Sequence, residues 1–196
     1  MLGEGAAFFF LESLESARQR DVPVYAEIVG QSSVFDPDTL HRYDETAKGA
    51  VEALTQALAV DGIDPAEVDY ISTGANATRG IDAMEIAALQ TVFGTRASRV
   101  PAGAVKALVG EAFSASGALQ VALAIGAIVR QTLPPTVDWT REPSSDELTL
   151  VSEQARPARV ETVLVESFGL AGLASALVMK GTRNGTDASA FRRSSN

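Results

Sequence analysis

Cysteine is missing from this 196-residue sequence, and histidine occurs once, as His41. Without cysteine the chain can form no disulfide bond, no thiolate metal site and no cysteine nucleophile. A single histidine excludes a histidine-rich metal site and removes the side chain that most often moves protons near neutral pH. Because His41 stands beside Arg42 in a polar stretch, we predict that it lies on the surface.

Positive charge is also scarce. The chain has 16 Lys and Arg against 25 Asp and Glu, which gives a formal net charge of -9. Nucleic-acid affinity rests largely on Lys and Arg, so this balance argues against a nucleic-acid partner. The chain starts without a cationic stretch, and Glu12 and Glu15 follow soon after. We therefore expect no signal peptide and a cytoplasmic location.

The glycine-containing motifs do not indicate a nucleotide site. The Gly3-x-Gly5 motif precedes a strand-like run rather than a helix, unlike a dinucleotide-binding fingerprint. The segment from Gly169 to Gly172 lacks the Lys-Ser/Thr of a phosphate-binding loop. We predict neither a cofactor nor a metal ion.

One long apolar stretch, residues 112–129, approaches the length of a membrane-spanning helix. It contains Ser114, Ser116 and Gln120, and its flanking segments are typical of a soluble α/β chain. A helix that is apolar on all sides belongs inside a protein or a bilayer. We predict a buried core helix and no membrane partner.

Apolar runs of strand length alternate with helical patterns along the chain, and strands cluster towards its end. Strands are predicted at 6–11, 24–34 (with Gly30 a candidate bulge), 68–72, within 98–105, and at 148–151, 160–167 and 174–180. Helices are predicted at 12–20, 44–60, 80–93 and 112–129. This order favours an α/β layered fold with a mixed sheet. We expect one domain over residues 1–180 and a disordered polar tail over 181–196.

Several segments, taken in order, resemble the second half of β-ketoacyl synthases. They are residues 2–7 (the LGEGA motif), 24–30 (a YAEIxG strand), 62–71, 106–117 (the KxxxGH segment), 133–136 (the IPPT turn) and 167–169 (the start of SFGFGG). The resemblance implies the carboxy-terminal half of a thiolase-like fold, with a mixed five-stranded sheet sandwiched between helices. It also implies that Met1 corresponds to the middle of a full synthase, as in a split gene or a fragment.

The resemblance identifies where the family's catalytic groups would stand. Family members use a cysteine in the first half and two histidines in the second. In register, the first histidine position is Gly74 and the second, in the KxxxGH segment, is Glu111. Glycine has no side chain, and an ionised carboxylate repels an enolate instead of stabilising it. The aromatic gate of SFGFGG is Leu170 here, and a family glutamate is Gln120.

Other polar residues of the family framework are retained. Lys106 is expected to pair with a carboxylate or to cap a loop, the alternative being a solvated lysine. Asn76 and Glu111 form a polar pair if their loops converge; otherwise each makes ordinary loop hydrogen bonds. Phe168, Leu170 and Asn76 are the candidates for lining a substrate tunnel. Asp82 and Glu85 are also retained.

The resulting hypothesis is a non-catalytic, chain-length-factor-like subunit of a fatty-acid or type II polyketide synthase. It would form a heterodimer with an active ketosynthase and meet acyl carrier protein through that complex. One alternative is half of a split synthase with condensing acyltransferase activity, in which Glu111 acts as acid or base. Another is a degenerate gene fragment.

Overall fold

The computed structural model describes residues 1–37, 46–137, 148–151, 154–169 and 171–182. The α-helices in this part are α1 (Leu14–Gln19), α2 (Lys48–Ala59), α3 (Arg79–Phe93), α4 (Lys106–Val109) and α5 (Ser116–Arg130). The strands are β1 (Glu27–Phe35), β2 (Tyr70–Thr73), β3 (Pro101–Ala104), β4 (Thr132–Leu133), β5 (Thr149–Leu150), β6 (Arg156–Pro157), β7 (Thr162–Phe168) and β8 (Leu173–Lys180). Short 3₁₀ turns occupy Pro65–Glu67, Gly94–Arg96 and Phe113–Ala115.

The main sheet is mixed and has the strand order β1-β8-β7-β2-β3-β5. Strands β7, β2, β3 and β5 pair in parallel, whereas β8 runs antiparallel to both β1 and β7. The predicted α/β mixed sheet is confirmed, but it has six strands rather than five. The sixth is the two-residue β5 at the edge, which pairs with β3. Strands β4 and β6 form a separate small antiparallel pair.

Helices cover both faces of the sheet, so its central strands are apolar on both sides. Alternate residues of β2 and β7 point to opposite faces. Ile71 and Leu164 join the cluster beneath α2 and α3. Tyr70 and Val163 join the cluster beneath α5. This layering explains why these strands read as continuous apolar runs instead of alternating patterns.

The apolar run 6–11 departs from its prediction. No strand is assigned there, and Phe8 and Phe10 are 96% and 83% exposed. Nearby, an isolated bridge joins Leu2 to Glu111. A strand needs a neighbour with a free hydrogen-bonding edge, and none of the strands in the described ranges pairs with this run. The strand predicted at 6–11 is therefore wrong for this chain by itself.

The apolar stretch 113–130 is long and apolar enough, by length and composition, to cross a membrane, and 33% of it is buried. In the fold, α5 packs one face against β7. The buried residues on that face include Ser116, Gln120, Ala124 and Ala127. This spacing of three to four residues is that of an amphipathic helix on a sheet. The core-helix prediction holds for one face, and much of the rest of α5 is only partly buried.

Some predictions fall outside the described ranges. His41, Leu170 and residues 183–196 of the predicted tail lie there. Gly181, at the start of that tail, donates its backbone N–H to Glu161. The register of β1 against β8 shifts between Ile28 and Gly30, which leaves Val29 as the residue without a partner, so the irregularity lies next to the predicted position Gly30.

Candidate functional site

A cavity of about 680 Å³ lies where the parallel strands β2 and β3 end. The carboxyl ends of parallel strands are the usual site of ligand binding in α/β sheets. The lining residues are Met1, Thr73, Ala75, Asn76, Ala77, Arg79, Asp82, Ala83, Glu85, Ile86, Ala104, Lys106, Ala107, Glu111, Thr136, Val137, Leu148 and Leu150. In the described part of the chain, no three His, Asp or Glu side chains are grouped to hold a metal ion.

Glu111 is the most heavily hydrogen-bonded side chain of the cavity. Its Oε2 accepts from Lys106 Nζ at 2.9 Å and from Asn76 Nδ2 at 3.2 Å. Its Oε1 accepts from Ser116 Oγ at 2.7 Å and from the backbone N–H of Phe113 at 2.9 Å. Burial by itself would raise the pKa of Glu111, but these donors outweigh it and lower the pKa to about 2. The carboxylate is therefore ionised at neutral pH.

These contacts decide between the alternatives left by the sequence. Lys106 pairs with a carboxylate and is not a solvated lysine, since its side chain is 11% exposed. Asn76 and Glu111 converge as the polar-pair hypothesis required.

Gly110 places Glu111 at this point of the cavity. It has a φ of +78°, and a Cβ there would lie 2.7 Å from the backbone nitrogen of Gly3. Glycine meets both constraints because it has no side chain. Gly3 in turn donates its N–H to the carbonyl of Glu111.

Gly74 stands in the loop that follows β2. Its N–H donates to Glu85 Oε1 at 2.7 Å. A Cβ added at Gly74 would lie 3.2 Å from that oxygen and 3.3 Å from the carbonyl oxygen of Glu166. No side chain reaches the cavity from this position, and the neighbouring atoms leave little room for one.

Glu166 on β7 does not line the cavity, but it contacts Glu85, which does, and the sequence patterns did not single it out. Its side chain is fully buried, and it contacts the equally buried Glu85 of α3. Burial raises the pKa of Glu85 to about 7 and that of Glu166 well above its usual range. A signal was available: a charged residue directly follows the apolar run 163–165 of a strand buried on both faces.

Gln120 joins α5 to the sheet beneath the cavity. Its Nε2 donates to the carbonyl oxygens of Ser72 (3.2 Å), Thr73 (2.8 Å) and Glu166 (3.0 Å). The side chain is fully buried. An amide at this position thus ties β2, β7 and α5 together where a carboxylate would repel the same three oxygens.

Comparison with known proteins agrees with this architecture. Residues 25–140, more than half of the chain, match the model of the β-ketoacyl synthase C-terminal domain. The chain belongs to the β-ketoacyl synthase family.

Similar ketosynthases come from both fatty-acid and polyketide systems. The chain is 34% identical over 179 residues to 3-oxoacyl-[acyl-carrier-protein] synthase 2 of Coxiella burnetii, covering 91% of this chain and 43% of that protein. It is 37% identical over 180 residues to an oxytetracycline polyketide putative β-ketoacyl synthase 1 of Streptomyces rimosus, covering 91% and 42%. The structure of the ishigamide ketosynthase/chain length factor superposes with a TM-score of 0.86 at 29% identity, covering 93% and 44%. The chain thus spans less than half the length of the ketosynthases it matches.

The fold brings most of the predicted site residues together. Asn76, Lys106, Asp82, Glu85 and Glu111 all line the cavity. Their family roles stay predictions, as does the assignment of Gly74 and Glu111 to the two histidine positions.

The tunnel candidates are divided. Asn76 lines the cavity. Phe168 instead packs in the core cluster with Leu164 and Ala174, and it is not among the lining residues. Leu170 lies outside the described residues. A substrate tunnel through these three positions therefore stays a prediction.

Proposed function

We propose that this ketosynthase-family chain is a non-catalytic, chain-length-factor-like subunit of a fatty-acid or type II polyketide synthase. It works by packing against an active ketosynthase and shaping the acyl cavity, and it meets acyl carrier protein through that complex in the cytoplasm. The observation that carries the proposal is the state of Glu111. This side chain lines the cavity and is held as a carboxylate by Lys106, Asn76 and Ser116.

Decarboxylative condensation needs a donor that stabilises the negative charge developing on the enolate. A carboxyl group with a pKa of about 2 has no proton to donate at neutral pH and repels an enolate. Gly74, at the other predicted histidine position, supplies no side chain. The only imidazole in the chain is that of His41, which lies outside the described residues.

An exposed apolar surface supports the proposed partner. The side chains of Leu2, Phe8, Phe10, Leu11 and Phe113 are each at least 72% exposed. Large apolar side chains exposed to this extent, four of them within ten residues of each other in the sequence, are typical of a surface that another protein covers. The solved ketosynthase/chain length factor similar to this chain gives the chemistry of one such partner, a second ketosynthase-type subunit.

Co-expression with a ketosynthase encoded nearby tests the proposal. We expect the two chains to co-elute as a stable complex, and we expect Phe8→Ser with Phe10→Ser to weaken it. Val60→Ser is the matched control, because Val60 is 65% exposed but ends α2 on the opposite face of the sheet. Failure of the wild-type chains to co-elute would count against the partner assignment.

A malonyl-carrier-protein decarboxylation assay separates this proposal from a split synthase. The retained cavity is the observation that favours a synthase half. If the complex releases labelled CO₂, and Glu111→Ala in this chain abolishes the release, Glu111 is catalytic and the non-catalytic proposal is wrong. We expect the decarboxylation rate of the complex, which the partner ketosynthase sets, to be unchanged by Glu111→Ala. Aggregation in every co-expression would instead favour a degenerate fragment.

A further inference from the structure

Two acidic side chains meet in the core between α3 and the sheet. Glu85 of α3 is 2% exposed and Glu166 of β7 is fully buried. Glu85 accepts the N–H of Gly74 at 2.7 Å. Neither carboxyl oxygen of Glu166 has a donor among the described residues, which leaves the neighbouring carboxyl of Glu85 as its polar contact.

Two carboxylates in contact in a dry interior cannot both be ionised, because burial and mutual repulsion each favour the neutral form. A proton on one of them relieves the repulsion and supplies the missing donor. The charges around the pair do not allow both carboxyls to ionise. Asp82 on the same helix adds repulsion to Glu85, and the attraction from Lys106 is smaller than the effect of burial. Lys106 is itself committed to Glu111.

The pair is connected to the cavity through one loop. Gly74 bonds to Glu85, and two residues later Asn76 donates its backbone N–H to Asp82 Oδ1 at 3.2 Å. The side chain of Asn76 then donates to Glu111. The position of residues 73–78 therefore depends on the carboxyl of Glu85, which accepts the hydrogen bond from the backbone N–H of Gly74.

We propose that protonated Glu166 donates to Glu85, that this shared proton keeps Glu85 in place to accept the N–H of Gly74 and so fixes the loop 73–78 against the cavity, and that ionisation of both carboxyls drives them apart and releases the loop. The proposal goes beyond the assigned subunit role and does not depend on it. The carboxyl pair would make the shape of the cavity depend on pH, although no histidine lies at the cavity among the described residues.

The stability of the folded chain depends on pH because folding raises the pKa values of both Glu85 and Glu166. In the unfolded chain each carboxyl ionises near its ordinary value of 4.5, whereas in the folded chain the pKa of Glu85 is about 7 and that of Glu166 is higher. The protons held by the folded pair therefore stabilise the chain fully below pH 4.5, and this stabilisation is lost as the pH rises through the two raised pKa values. The first ionisation, that of Glu85 near 7, leaves the shared proton in place, and the second, that of Glu166, removes it. For each proton retained, the folded-to-unfolded equilibrium constant falls about tenfold per pH unit in this window.

The test compares urea unfolding of the full chain from pH 5.5 to 8.5 in wild type and Glu166→Gln. Glutamine keeps an N–H donor for Glu85 but cannot titrate. The variant has one titrating carboxyl fewer. We therefore expect its folding equilibrium constant to depend less steeply on pH than that of wild type, by a factor of about ten per pH unit. Glu27→Gln, an exposed carboxyl on the same sheet, should behave as wild type. If Glu166→Gln does not fold, Glu85→Gln removes a titrating group from the other side of the pair.

Nuclear magnetic resonance of the same chains reports on the loop directly. In wild type, the amide resonance of Gly74 should move in two steps, the first near neutral pH as Glu85 ionises and the second at higher pH as the shared proton is lost, and the second step should be absent in Glu166→Gln. An unchanged pH slope in a folded variant, or carboxyl carbons of Glu85 and Glu166 that titrate near 4.5, would overturn the proposal.

Discussion

The ion pair between Glu111 and Lys106 can be tested by replacing one carboxyl with an amide. In Glu111→Gln the new side chain can still accept from Ser116 and Phe113, but it no longer balances the charge of Lys106. That ammonium group is 11% exposed and would be left without its anion. The variant should therefore be less stable at neutral pH while its fold is retained.

The size of the effect follows from the pKa of Glu111, which falls from the ordinary value of 4.5 to about 2. One unit of pKa change corresponds to about 1.4 kcal/mol, so this lowering sets an upper limit of roughly 3.4 kcal/mol on the contribution of Glu111 to the free energy of unfolding. The site is only partly shielded from water, and screening reduces the contribution to about 1–2 kcal/mol. A depressed pKa stabilises the folded state above pH 4.5, and the stabilisation disappears as the pH falls towards 2.

Urea unfolding followed by circular dichroism at several pH values between 7 and 3 measures this directly. The difference between wild type and Glu111→Gln should be largest at pH 7 and should shrink below pH 5. Glu161→Gln is the matched control, because it breaks an exposed pair with Arg159 and should cost much less stability than Glu111→Gln. A double-mutant cycle with Lys106→Met should show coupling of the two residues. A difference that is constant with pH, or a coupling energy near zero, would refute the argument that Glu111 is a locked anion.

Four further predictions concern the core and the exposed apolar surface. Gln120→Glu should destabilise the chain by about 1–3 kcal/mol in urea unfolding at neutral pH, because a buried carboxyl must keep its proton and can then donate only one hydrogen towards the three carbonyl oxygens; a stability equal to wild type would contradict the role assigned to the amide. Tyr70→Phe should raise the free energy of unfolding by about 1 kcal/mol, because the Tyr70 hydroxyl is buried with no hydrogen-bond partner among the described residues, and any loss of stability would show that the hydroxyl is satisfied. Gly103→Ala should lower the melting temperature, since its Cβ would collide with that hydroxyl, and Tyr70→Phe should recover part of the loss. Phe10→Ser should reduce self-association of the isolated chain in analytical ultracentrifugation without changing its unfolding free energy, because Phe10 is 83% exposed.

Local patterns in the sequence were sufficient for most of the secondary structure. The helix α3 begins within one residue of its predicted start and ends at the predicted residue, and β7 and β8 lie within two residues of their predictions. Apolar spacing and the glycine that closes α3 are properties of neighbouring residues, so they act before any tertiary contact forms. The order of short motifs was likewise enough to indicate the ketosynthase family, which the family match confirms.

Two features of this chain were decided only by tertiary structure. The run 6–11 has the composition of a buried strand, but a strand exists only where a neighbouring edge offers hydrogen bonds, and Phe8 is left exposed. The protonation of Glu111 depends on donors that folding brings from Asn76, Lys106 and Ser116.

The acid pair shows the same division between local and long-range information. The residue types Glu85 and Glu166 are written in the sequence, but their contact requires α3 to pack on the strand that carries Glu166. Ionisation depends on burial and on the charges within a few ångströms, and both are set by long-range packing. The sequence by itself therefore determined the family and the elements of the fold, whereas the packing of those elements decided which carboxyl groups carry a proton.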